Sequence, residues 1–397
     1  MIKIPQKRFE NRQQQFRKKL AEKDIKHFVV FNPIHIYYLT GFVHIPTERP
    51  LALVVQETEV SFFVPELERI HIEEDVPNVA RIGTYFDYPG SKHPMKLFAT
   101  FLKEELRITS HLGAEAPGSP SRWGYEGPKL EKVLGFPVKV ISTLITDMRV
   151  TKDEDELRCI RQSAMWANLA HQILQEKTVV GANEVEVSLS ASVEASIAMG
   201  KALGLSYRPF SFMGLPAQAG YRGQIGAYSA IPHATTRFAA FKLGDTLVTG
   251  ASSSVAGYYA ELERTMFMGK PNEKQHKYFD IMVEAQDAAF EAFIPGKPCS
   301  LVDNATRKVF KKHGVMHLVQ HHTGHAIGLE GHEKPFLDVG MDIKMKPGMV
   351  FTVEPGIYDR AIGGFRHSDT VIITDEGVEQ VTYYPRDIDY LTIDLNR

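Results

Sequence analysis

The segment MRVTKDEDELRCIRQSAMWANLAHQ (148–172) divides the chain into two parts of different character. Before it, short β-rich runs alternate with helical patterns. HFVVF (27–31), LALVVQ (51–56) and VSFFVP (60–65) come first, then ARIGTY, KLFATFLKEEL and FPVKVIS. A polar amphipathic helix over 7–24 precedes them. In the dividing segment, TKDEDE places acidic residues at a helix start, where they complement the helix dipole, and apolar residues then recur at helical spacing. Beyond residue 174, long helical patterns alternate with strand pairs, and PHATT, GDT, PGKP and KPGM supply turns. A chain of 397 residues is too long for one ordinary core. The reading is two domains, 1–147 and 148–397, of which the first is α/β because strands and helices alternate.

Charge and cysteine content exclude several partners. Lys and Arg total 46 and Asp and Glu 48, giving a net charge of −2. No basic block is present to hold nucleic acid or an acidic membrane surface. No apolar run reaches the roughly 18 to 20 residues of a membrane span. The N-terminus, MIKIPQKRFENRQQQ, lacks the apolar core of a signal peptide. Cys159 and Cys299 make no disulfide framework, which fits a reducing cytoplasm.

Chemistry-bearing residues concentrate in the second part. Read as a strand, VAGYYAELERTMF puts Tyr259, Glu261 and Glu263 on one face. Carboxylates at i and i+2 lie about 6 to 7 Å apart, a spacing that suits clamping a cation or binding a metal. The plainer reading is a solvated strand face. HHTGHAIGLEGHE carries His321, His322, His325 and His332, but not at the His-Glu-x-x-His spacing of zinc peptidases. TVEPG ends a strand-like run on Glu354. IPHATTR sets His233 in a loop; an imidazole with an unperturbed pKa near 6.5 is suited to shuttling a proton.

In order and spacing these stretches, with GDTLVTGASSS and GGFRHSDTVIIT, resemble the catalytic half of the creatinase, prolidase and methionine aminopeptidase superfamily. The resemblance implies an α+β fold: an N-terminal α/β creatinase-like domain, then a pseudo-symmetric pita-bread catalytic domain with a curved antiparallel sheet under helices. In the metal-dependent members the ligands run Asp, Asp, His, Glu, Glu. The matching positions here are Gly250, Glu261, His325, Glu354 and Ser368. AGYYAELERT resembles creatinase more closely than prolidase. The resemblance then implies that Glu263 clamps substrate, that His233 is the catalytic histidine, and that Arg49, in ERPLALVV, reaches the partner's cleft in a homodimer. Creatinase has a second clamping glutamate where this chain has His367.

The leading expectation is therefore a metal-independent, creatinase-like hydrolase of a carbon–nitrogen bond in a small polar substrate, without metal or other cofactor. His233, Glu263, His325 and Glu354 are its expected catalytic residues. Arg49, Glu261, His321, His332 and His367 are its expected substrate-binding residues. A metal-dependent Xaa-Pro dipeptidase or aminopeptidase is the alternative, with Glu261, Glu263, His325 and Glu354 around one ion and His367 nearby. A non-catalytic binding member of the fold is the third reading.

Overall fold

The computed structural model describes residues 3–119, 127–204, 207 and 215–394. Its contacts divide the chain into Ile4–Arg149 and Val150–Arg397. The first unit is built on a six-stranded sheet. In order across it run Val79–Tyr85, Val60–Pro65, Ala52–Val55, His27–Val30, Leu112–Ala114 and Lys139–Val140. The central strands HFVV, ALVV and VSFFVP are almost wholly buried, as expected of strands covered on both faces. Met95, Phe98, Phe101 and Leu102 pack with Val29, Val54 and Phe63 into its core. The first helix runs Gln6–Ala21 and buries Phe9, Phe16 and Leu20.

The second unit opens with helix Glu154–Lys177, which starts as the acidic segment predicts. Asp153 accepts from the backbone N–H of Asp155 and Glu156, and Glu156 accepts in return from the N–H of Asp153. This reciprocal cap satisfies donors that a helix end otherwise leaves open. Glu156 also accepts a hydrogen bond from Tyr258, and the Ser163 hydroxyl donates to the Tyr258 carbonyl, both at the head of strand Tyr258–Glu263.

The sheet beneath that helix has eight strands, every pairing antiparallel. Its order is Glu333–Leu337, Gly324–Ala326, Val350–Val353, Ser368–Ile373, Tyr258–Glu263, Gly250–Val255 and Ala217–Gly220. Strand Val378–Gln380 pairs with Ser368–Ile373 off this path. The sequence motifs thus become neighbours through register. Glu263 lies opposite Ser368, and Val353, the residue before Glu354, opposite Asp369. A hairpin of Gly356–Asp359 and Gly363–Arg366 leads into Ser368–Ile373. No helix among the described residues is long and apolar enough to cross a membrane.

Candidate active site

Glu261, His325 and Glu354 bring one ligand atom each to within 4.8 Å of one another. They come from three different strands or strand ends, so only the folded sheet assembles them. His325 Nε2 lies 3.3 Å from Glu354 Oε1. Its Nδ1 donates to the carbonyl of Ala326 at 3.1 Å. That bond commits Nδ1 and leaves Nε2 to donate its proton to Glu354, the position from which, deprotonated, it would face a cation held by the two carboxylates. Ser368 donates to Glu261 Oε1 at 2.9 Å, and Thr370 accepts from the Glu261 N–H and donates to its carbonyl.

The charges of the three groups are interdependent. Burial raises the pKa of Glu261, and the nearby charges of Glu354 and Glu263 add to the rise. Burial opposes the charged forms of His325 and Glu354 as well. Their mutual hydrogen bond and attraction outweigh it, holding the histidine above and the carboxyl below their ordinary ranges. Two carboxylates and an imidazole nitrogen gathered so closely suit a divalent cation. The residues present fit one such ion. They do not fit the paired ions of the five-ligand pattern, because Gly250 offers no donor and Ser368 only a hydroxyl turned to Glu261.

Glu263 lies in the same cleft but is already partnered. Arg366 donates to it through both Nε and Nη2, a bidentate fork, and Arg222 Nη2 donates to its Oε1 at 2.8 Å. Arg366 also reaches the Tyr358 hydroxyl at 3.1 Å and the carbonyl of Pro232 at 3.3 Å. It therefore tethers the residue next to His233. His233 itself is exposed on its loop, close enough to His332 for their charges to interact. The His332 ring stacks on His325, with centroids 3.7 Å apart. His321 Nε2 lies 2.7 Å from the Tyr358 hydroxyl. Arg49 belongs to the first unit, where it pairs with Glu48 at 2.7 Å.

His367 is a correction. It was expected to contact substrate, but its ring is fully buried against Phe279, with neither nitrogen hydrogen-bonded among the described residues. Strand alternation is the cause: Arg366 and Ser368 point to Glu263 and Glu261, so the residue between them points the other way. Burial, then the charge of Arg264, holds its pKa well below that of a free histidine. Sequence reasoning also missed Arg366, Arg222 and Tyr358. For Arg366 the signal was present, since the same alternation groups it with Ser368. For Arg222, in the loop GYRGQ, no comparable signal exists.

Comparison with known proteins resolves the choice of family. Residues 158–375 match metallopeptidase family M24, and residues 12–151 match the creatinase/prolidase N-terminal domain. A Xaa-Pro dipeptidase of Pyrococcus furiosus is 31% identical over 93% of this chain and 97% of its own length. A putative dipeptidase of Bacillus subtilis is 30% identical over 89% of this chain and 92% of its own. Among solved structures, a prolidase from Thermococcus sibiricus superposes with a TM-score of 0.81 at 25% identity, covering 96% of this chain and 98% of its own. These relatives overturn the expectation of a metal-independent, creatinase-like amidinohydrolase. The AGYY and LERT likeness was local, whereas similarity along nearly the whole length runs to Xaa-Pro dipeptidases. The coarser expectation, a hydrolase of carbon–nitrogen bonds on a pita-bread fold, stands. The chain belongs to metallopeptidase family M24, with the creatinase/prolidase N-terminal domain preceding its catalytic domain.

Proposed function

We propose that the protein is a metal-dependent peptidase that hydrolyses Xaa-Pro dipeptides. The observation that carries this reading is the convergence of Glu261, His325 and Glu354, with His325 Nδ1 committed to the Ala326 carbonyl and its Nε2 facing Glu354. These three residues would hold one divalent cation. Such an ion, when bound, polarises a carbonyl and acidifies water.

The remaining residues act on the substrate or position the groups that do. His233, exposed beside His332, is placed to take a proton and return it to the leaving amine nitrogen. His332 lies flat on His325 and covers one side of the cluster. Glu263 orients Arg366 and Arg222 rather than holding a substrate guanidinium, since its oxygens are already committed to them. His321 fixes the Tyr358 hydroxyl from behind. The protein also acts as a homodimer in this reading, with Arg49 contributing to the partner's cleft. Sedimentation and the kinetics of Arg49→Ala test that part alone.

The deciding experiment is hydrolysis of a panel of Xaa-Pro dipeptides by protein stripped with a chelator and reloaded with manganese, cobalt or zinc. Cleavage that disappears on stripping and returns on reloading is expected. Failure to cleave any member of the panel in the reloaded state overturns the reading.

A further inference from the structure

We propose that the guanidinium of Arg222 is a built-in cation that takes the place of a second metal ion, so that the cleft holds one divalent ion and one fixed positive charge. This rests on the metal-dependent reading above. Three independent features of the site carry it.

The first is position. A Cβ added to Gly250 would lie 3.9 Å from both Nε and Nη2 of Arg222, and 3.5 Å from Glu263 Oε1. Gly250 is the place from which the five-ligand pattern would project an aspartate. Here the guanidinium stands beside that space, and the side chain that would have held an ion is missing.

The second is charge. Arg366 alone already meets Glu263 in a bidentate fork, and its side chain is only 3% exposed. Arg222 adds a second guanidinium to the same carboxylate, and its side chain is 50% exposed. Two positive groups thus share one negative group. A guanidinium does not lose its proton in a protein. Its charge repels a divalent ion from Glu263 at every working pH, and Glu263 is not one of the three residues whose ligand atoms converge.

The third is preorganisation. Arg222 has φ +52° and Gly223 φ +75°, a left-handed turn that an arginine adopts at a cost of roughly 1 kcal/mol or more. Any side chain at 223 would collide with the carbonyl oxygen of Thr235, 2.1 Å from its Cβ. Buried Glu184 accepts from the backbone N–H of both Gly223 and Arg237, at 2.7 Å each. One carboxylate therefore ties the Arg222 turn to the loop that carries His233. Gln224, fully buried, accepts from Arg222 Nη2 at 3.2 Å and steers the group toward Glu263.

The test counts manganese by calorimetric titration and by metal analysis, independently of turnover. Wild type is expected to bind one equivalent per chain. The double variant G250D/S368E, with both side-chain ligands restored but Arg222 retained, is expected to stay at one. The triple variant G250D/S368E/R222Q is expected to take a second. Arg222→Glu, a single change at a half-exposed position, gives the same test without altering the sheet. It exchanges the cation for a carboxylate and should admit a second equivalent where wild type takes only one. Two equivalents in wild type, or a second ion bound as tightly by the double as by the triple variant, overturns the inference. One equivalent in wild type without dipeptide cleavage would instead sink the peptidase reading and leave the role of Arg222 standing.

Discussion

Gly250 and Glu263 sit side by side on adjacent antiparallel strands, one step beyond the Ala251–Leu262 pair, and face the same cleft. A carboxylate missing from one strand is thus present on its neighbour. That carboxylate is neutralised by Arg366 and Arg222, which removes it from the ligand set while keeping it in the architecture.

Removing Arg366 should expose this dependence. Arg366→Met leaves Glu263 buried with the half-exposed Arg222 alone, and removes the Arg366 hydrogen bonds to the Tyr358 hydroxyl and the Pro232 carbonyl. Breaking a buried pair from one side costs about 3 to 5 kcal/mol. The double variant Arg366→Met/Glu263→Leu should recover part of this, because no uncompensated charge remains. Urea unfolding of the two single variants and the double variant measures the coupling. Additive losses would show that the pair is not coupled.

The three clustered ligands make a separate forecast. Glu354→Gln and His325→Ala should each weaken manganese binding by at least about tenfold, since each removes one of the three donors that converge among the described residues. Ser368→Ala should do less, because its hydroxyl only orients Glu261. Calorimetric affinity, with melting curves on the same preparations, separates ligand loss from unfolding. Equal effects for Ser368→Ala and His325→Ala would count against the assignment.

Lys152 and Glu333 form a buried pair at 3.0 Å, their side chains 1% and 5% exposed. Gly328 packs against both, and a Cβ there would lie 2.9 Å from each. Glu333 follows His332, so the pair also sets the angle from which that ring covers His325. Lys152→Met should cost about 3 to 5 kcal/mol and lower activity beyond the loss of folded protein. Lys152→Arg, which keeps the charge but overfills the space, should cost less. Full activity per folded molecule in Lys152→Met would separate the pair from the site.

Much of this architecture was legible in the sequence, and the reasons are local. The TKDEDE run announced a capped helix, and Asp153 and Glu156 form that cap. Alternation in YYAELE placed Tyr259, Glu261 and Glu263 on one face; Tyr259 and Glu261 are half-buried between buried neighbours, and Glu263 is buried beneath Arg366 and Arg222. That His325 and Glu354 share one cleft was implied by the family resemblance of their motifs, and the two residues do converge. What could not be read was pairing across strands. The partners of Glu263 lie 41 and 103 residues away, at Arg222 and Arg366. Without register, a free Glu263 looked like a substrate clamp, and that in turn favoured the wrong activity.

His171 provides a pH-dependent test remote from the ligands. It is fully buried, and its Nε2 lies 2.7 Å from the Thr249 hydroxyl. Thr249 also accepts from the Arg264 N–H and donates to the Arg264 carbonyl, so the histidine is the donor in this bond. Its Nδ1 has no hydrogen-bond partner among the described residues. Burial, then the charge of Arg264, lowers its pKa to about 3. Tyr384 packs against its ring and adds no charge near neutrality. In the unfolded chain the same group titrates near 6.5. Between those values the unfolded state binds a proton and the folded state does not. His171 therefore contributes nothing to the pH dependence above about 6.5 and destabilises progressively as pH falls below it. The slope is about 1.4 kcal/mol per pH unit within that window. His171→Gln keeps an N–H for Thr249 and removes the titration. Unfolding free energy measured from pH 6 to pH 4 should fall less steeply in the variant by about that slope. His367, also buried and neutral, contributes equally to both proteins and leaves the difference unchanged. Parallel curves for wild type and variant would show that His171 is protonated in the folded state, contrary to its burial.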